Sequence, residues 1–376
     1  MARFETIGVV GAGAMGRGIA QVAALAGRRV RLSDVSIEAL EAGGAAIRDS
    51  VFRAMSKGRL SEAAALDALD RITVHDGLRA HAGADLVIEA ATERADIKAA
   101  IFTDLAEIAP GAVLATNTSA LSIGQLAQAA QVPLVGLHFF NPAHVMKLVE
   151  VVTLPETDPG LAQALSDEMT AWGKTPVICA DTPGFIVNRC ARPFYGEAMA
   201  ILEEGTADAA TIDASMLAAG YRIGPFALID LIGADVNLAA TQGVYDGMAQ
   251  NPRYYPFQTL RAQVAKGALG NKAGKGFLIP PADGPAPEPA PAIAERIEAT
   301  LVNEACTLLE TGTATRDGID TALRLGLNFP RGPFEMLAHH GAGRMLAMLE
   351  RLARTAPPHL AGRYTPSPAL LALVTD

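Results

Sequence analysis

Hydrophobic positions are patterned differently in the two halves of the chain. Thr6–Val10, Arg29–Ser33, Ala84–Ala91, Val113–Thr116, Leu134–Phe140 and Met146–Val152 are short apolar runs ending in polar or turn residues, which reads as strands. Helix-like stretches such as Arg17–Leu25 lie between them, and alternating strand and helix predicts an α/β unit built on a doubly wound, mostly parallel sheet. The alternation stops at Asp181-Thr-Pro-Gly184, and long alanine- and leucine-rich amphipathic stretches follow. Two tandem all-α units are expected there, because a repeat runs through them. Glu197, Ile201-Leu-Glu-Glu-Gly205-Thr-Ala, Ile212-Asp213 and Gly224-Pro-Phe226 recur as Glu304, Leu308-Leu-Glu-Thr-Gly312-Thr-Ala, Ile319-Asp320 and Gly332-Pro-Phe334, and Arg253-Tyr-Tyr-Pro256 is echoed by Arg363-Tyr-Thr-Pro366. The expected boundaries are 1–182, 183–279, a proline-rich linker 280–292, and 293–376. Duplicated helical units pack most simply about a pseudo-twofold axis, as an intrachain pseudo-dimer, which leaves a homodimer through another surface open.

The first strand and helix carry specific chemistry. Thr6–Val10 runs into Gly11-Ala-Gly13-Ala-Met-Gly16 and then into a helix. Glycines in that order allow a tight turn, close approach of backbone to a pyrophosphate, and close packing of helix on strand. The second strand ends at Asp34, 23 residues after Gly11, where a carboxylate accepts bonds from ribose hydroxyls and repels a 2′-phosphate. The expected cofactor is NAD, contacted by Gly11, Gly13, Ala14, Met15, Gly16 and Asp34.

Ends of later strands converge on the same side of such a sheet, which places Glu93, Lys98, Asn117 and Ser119 in one crevice with His138. Ser119 reads equally well as the N-cap of the helix beginning near Ala120. On Met146–Val152 both faces are apolar, so Glu150 is expected to be buried, and a buried carboxylate needs a partner. His138, in Leu134-Val-Gly-Leu-His-Phe-Phe-Asn-Pro142, is the candidate; the other arrangement is an edge glutamate facing water and a core histidine. A carboxylate on one ring nitrogen fixes the tautomer and raises the basicity of the other, as a general base requires.

Composition narrows the setting. The 376-residue chain is half hydrophobic with a net charge of −9 and no basic run, which disfavours nucleic acid as a partner. Cys179, Cys190 and Cys306 show no ligand spacing, so no metal site is expected and a reducing cytoplasm is. No apolar run approaches the length of a membrane span.

GAGAMGRGIA at 11–20, NTS at 117–119, HFFNP at 138–142, MKLVEVV at 146–152, DTPGFIVNR at 181–189 and GNKAGKGF at 270–277 together resemble the L-3-hydroxyacyl-CoA dehydrogenase family over essentially the whole chain. The resemblance implies an N-terminal Rossmann domain and an acyl-CoA thioester substrate. It implies a catalytic pair at His138 and Glu150, substrate contacts at Ser119 and Asn188, nicotinamide-side residues at Glu93 and Lys98, and coenzyme A contacts at Ser50 and Lys57. Without it, Ser50 and Lys57 read as a solvated helix face. The chain departs from the family pattern at Ala120, at Ala143-His144 and at Gly276-Phe-Leu278, and its tandem repeat with Arg192-Pro-Phe-Tyr195 is similar to long bacterial forms that act on hydroxyadipyl-CoA. Two other readings are a dehydrogenase of non-CoA hydroxy acids and a non-catalytic NAD-binding scaffold.

Overall fold

The structure, a computed structural model, describes residues 4–281 and 286–375, so positions 282–285 of the expected linker lie outside the described residues. The chain forms two compact units, Met1–Asp181 and Thr182–Asp376.

The first unit is an eight-stranded sheet. In chain order it comprises β1 (Thr6–Val10), α1 (Ala14–Leu25), β2 (Arg29–Asp34), α2 (Ile37–Ser56), α3 (Glu62–Asp70), β3 (Ile72–Asp76), β4 (Leu86–Glu89), α4 (Ala95–Ile108), β5 (Val113–Thr116), α5 (Ile123–Ala130), β6 (Val135–Phe139), β7 (Leu148–Thr153), α6 (Pro159–Ala171) and β8 (Thr175–Ala180). The spatial order is β3-β2-β1-β4-β5-β6-β7-β8, parallel throughout except for the antiparallel pair β6–β7. Strands β1, β4 and β6 are buried along their whole length, as expected where helices cover both faces of a sheet. The two edge strands, β3 and β8, were not legible in the hydrophobic pattern. Ile72-Thr-Val-His-Asp76 is mostly exposed, and β8 contains Pro176, which a sheet tolerates at its edge.

One buried histidine braces this sheet. His81 lies against Gly8, where any added Cβ would stand 2.5 Å from Nδ1, and the ring shares a 2.7 Å hydrogen bond between Nε2 and Ser33 Oγ. Burial, aided by the charges of Arg31 and His75, pushes its pKa from 6.5 down to about 4.

The second unit is helical and built twice. Helices α7 (Val187–Glu203), α8 (Ala209–Ala218), α9 (Pro225–Ile232), α10 (Ala234–Gly247) and α11 (Gln258–Ala265) are followed by α12 (Pro291–Glu310), α13 (Arg316–Leu327), α14 (Pro333–His340), α15 (Ala342–Thr355) and α16 (Pro368–Thr375). The same device starts α9 and α14: a buried aspartate accepts from the first-turn backbone, Asp213 from Phe226 N and Asp320 from Phe334 N. The copies pack α7 against α12 through reciprocal bonds. Arg189 Nε donates to Glu304 Oε1 at 2.6 Å and Arg296 Nε to Glu197 Oε1 at 2.7 Å. Tyr254 and Tyr364 hydroxyls donate to the same two carboxylates at 2.7 and 3.0 Å. No helix among the described residues is long and apolar enough to cross a membrane.

Between pH 6.5 and about 4 the unfolded chain protonates at His81 while the folded protein resists it. Stability is therefore lost as pH falls through that window, by about 3 kcal/mol from this site. Urea melts across the window should show that slope in the wild type and a shallower one in His81→Leu.

Candidate active site

The sharp turn between β1 and α1 is built from glycines that admit no side chain. Gly11 has φ +104°, and a Cβ on Gly16 would lie 1.8 Å from Gly11 O. A Cβ on Gly13 would meet nothing within 4 Å, so its backbone borders open space at the helix start. Gly13 is the N-cap of α1, no side chain caps that end, and its first turn carries no acid, which suits an anion. Asp34, at the end of β2, accepts from Ala12 N at 2.7 Å and from Ser36 N at 3.0 Å, which sets its carboxylate beside the glycine loop. These features fit a dinucleotide with unphosphorylated ribose.

On the antiparallel pair β6–β7, His138 stands directly opposite Glu150. His138 Nδ1 and Glu150 Oε2 are 2.6 Å apart, with 5% and 0% of the residues exposed. The edge-glutamate arrangement is thereby ruled out. The Phe140 ring lies 4.5 Å from the imidazole, centroid to centroid. Asn117, following β5, accepts from Phe139 N at 2.8 Å and so ties the end of that strand to the residue next to the histidine.

Glu93 organises the serine loop. Its Oε1 accepts from Thr118 Oγ1 (2.7 Å), Ser119 N (2.8 Å), Ser119 Oγ (3.2 Å) and Ala120 N (3.3 Å). Ser119 is exposed and is not the N-cap of α5; that is Ser122, which accepts from Gln125 N. Lys98 is buried, 1% exposed, with Nζ 2.6 Å from Glu89 Oε2 and 3.6 Å from Glu93 Oε2. The reason is Glu89, fully buried at the end of β4, which also accepts from Thr116 Oγ1 at 3.0 Å and Ala91 N at 2.8 Å. Glu89 was overlooked in the sequence, although a carboxylate inside Leu86-Val-Ile-Glu89 carries the same signal that drew attention to Glu150.

Ser50 and Lys57 share a face of α2 and its C-cap with Arg53, at helical spacing, with Ser50 half-buried and the two basic residues exposed. His144 is exposed; partial burial and the charges of Lys174, Arg17 and Arg53 lower its pKa. Lys174 Nζ donates to Ala143 O and Met146 O, holding the turn between β6 and β7. Asn188 lies in the first turn of α7, half-buried, in the second unit. Each of the three cysteines is buried, and none forms a disulfide.

A doubly wound sheet with a glycine turn, an acid ending β2 and a buried histidine–carboxylate pair defines a nicotinamide-dependent dehydrogenase. Residues 6–182 match the 3-hydroxyacyl-CoA dehydrogenase NAD binding domain, and 184–279 and 293–376 each match the C-terminal domain of the same family. The chain is 35% identical to 3-hydroxyadipyl-CoA dehydrogenase of Escherichia coli K12, over 94% of both chains. It is 41% identical to 3-hydroxybutyryl-CoA dehydrogenase of Bradyrhizobium diazoefficiens, over 73% of this chain and 94% of that one. A crystal structure of 3-hydroxybutyryl-CoA dehydrogenase from Escherichia coli K12 superposes with a TM-score of 0.92 at 34% identity, covering 98% of each chain. The chain belongs to the 3-hydroxyacyl-CoA dehydrogenase family, and is an NAD-dependent oxidoreductase.

Lys98→Met should leave Glu89 as an uncompensated buried charge and lower stability by about 3–5 kcal/mol. Urea denaturation checks this, and Glu89→Gln added to the same chain should recover much of the loss.

Proposed function

We propose that this protein oxidises L-3-hydroxyacyl-CoA thioesters to 3-ketoacyl-CoA, with His138 and Glu150 as the acid–base pair and Ser119 and Asn188 as substrate contacts. The observation that carries this reading is the buried 2.6 Å contact between His138 Nδ1 and Glu150 Oε2. With Nδ1–H held by the carboxylate, Nε2 is the basic nitrogen that takes the proton of the C3 hydroxyl. Glu150 keeps the ring in that tautomer and stabilises the imidazolium formed, which returns the proton in the reverse direction. Bound NAD supplies the acceptor for the hydride leaving C3. Ser119 and Asn188 hold the reacting oxygen and the thioester carbonyl in register. Glu93 acts by fixing the Ser119 backbone and hydroxyl, and Lys98 acts through Glu93 and Glu89.

Ser50 and Lys57, with Arg53 between them, give an otherwise acidic protein a local basic face for the anionic coenzyme A. The two copies of the helical unit serve as an intrachain pseudo-dimer, the α7 face being covered by α12. The two copies are bounded as 183–279 and 293–376, behind a dinucleotide-binding domain 1–182. A cytoplasmic location agrees with three cysteines that form no disulfide.

NADH oxidation with acetoacetyl-CoA tests the reaction. Turnover of a free hydroxy acid but not of its thioester, or NADH binding without turnover, would overturn it. His138→Ala should lower kcat by about 10²–10⁴-fold while leaving the Kd for NADH nearly unchanged, measured by fluorescence titration. Near-normal turnover in that variant would remove His138 from the mechanism.

A further inference from the structure

The second copy of the helical unit has a cavity of its own, about 450 Å³, bounded by α8, α12, α14, α15 and the segment that leads into α12. That volume lies in the range that holds small organic molecules. Part of its wall is apolar, with Ala218, Ala219 and Pro291 among the lining residues. The rest carries charge: Arg331, Arg344, His339 and His340 line it together with Glu295 and Glu298. A 2.9 Å bond from Ala290 N to Ser215 Oγ ties the segment entering α12 to α8.

Both carboxylates are already engaged. Glu298, 3% exposed, accepts from the Tyr221 hydroxyl at 3.1 Å and lies 2.5 Å from His340 Nε2. Glu295 accepts from Arg344 Nε and Nη2. A guanidinium and an imidazole remain. Arg331 is half-buried, with no hydrogen bond or ion pair among the described residues, and its charge is felt at the Tyr221 hydroxyl. His339 has the ring of His340 beside it, 4.9 Å between centroids. An arginine stays charged in a protein, so the cavity holds a cation that the chain does not neutralise, and a planar carboxylate is its geometric complement.

The repeat shows that the fold does not require these charges. Shifted by the spacing of Glu197 to Glu304, Glu295 corresponds to Asn188 and Glu298 to Ala191. Shifted by that of Gly224 to Gly332, Arg331, His339, His340 and Arg344 correspond to Ile223, Leu231, Ile232 and Val236. The first copy thus places apolar residues where the second places basic ones, around equivalent positions of α7 and α12.

We infer that this cavity is a second ligand site, separate from the reaction site, and that it takes a small organic carboxylate. The carboxylate meets Arg331 and His339, and the hydrocarbon body lies on Ala218, Ala219 and Pro291. The correspondence of Glu295 with Asn188 adds weight through the proposed reading of Asn188 as a substrate contact: the duplicated fold then offers a ligand face twice, once apolar and once suited to an anion.

Calorimetric titration of the full chain with hexanoate, with hexanamide as its neutral counterpart and with inorganic phosphate as an anion without a body, tests the site. Hexanoate should bind at least about tenfold more tightly than either of the others. Arg331→Ile, which installs the residue of the first copy, should weaken hexanoate at least about tenfold while kcat/KM for acetoacetyl-CoA stays unchanged. His339→Leu should give a smaller loss. Should Arg331→Ile fail to fold, Arg331→Gln reads the same difference. Equal affinity for the three probes, or hexanoate binding that survives both substitutions of Arg331, would overturn the inference and leave the cluster as a solvated, self-paired face. Binding is read here without turnover, so a protein that loses hexanoate with Arg331→Ile yet never oxidises NADH with acetoacetyl-CoA would keep this site and lose the proposed reaction.

Discussion

Glu197 and Glu304 are completely buried carboxylates, one in each copy of the repeat, and each is met by an arginine pair and a tyrosine of the other copy. Removing one partner of such a buried pair leaves a charge that nothing nearby can compensate, at roughly 3–5 kcal/mol. The helical unit thus depends on the two copies being present together and in one register. The reciprocity is that of a twofold interface, residue for residue, realised within a single chain.

The same constraint sorts the charges of the first unit. Glu150 and Glu89 both end up inside a sheet whose strands are apolar, and each draws a cation-forming group inward: His138 to Glu150, Lys98 to Glu89. What separates the two pairs is their place. Lys98 reaches inward from α4 and its charge is spent on Glu89 and Glu93, so its influence on the serine loop passes through Glu93. His138 presents only Nδ1 to its carboxylate, and imidazole has a second nitrogen with which to do chemistry. Arg192 stands out against this background as a buried cation with dipoles alone around it.

Much of this was readable along the chain wherever a local rule applied. The glycine turn was legible because Gly11 and Gly16 occupy positions that exclude a Cβ, and the buried state of Glu150 because both faces of its strand are apolar. The edge strands β3 and β8 escaped notice because a strand half in water has no continuous apolar run to reveal it. The pairing of Lys98 with Glu89 went unread because the helix and strand that carry them meet only in the fold.

By itself the sequence determined the alternation of strands and helices, the dinucleotide turn, the duplication and the members of the buried histidine–carboxylate pair, since each follows from residues close together or from a repeat within one string. Only the tertiary structure decided which charges meet. Arg189 and Glu304 are 115 positions apart, Arg363 and Glu197 166, and nothing in their local surroundings selects one partner over another. Electrostatic pairing depends on separation in space and on exclusion of water, and both exist only after the chain has folded.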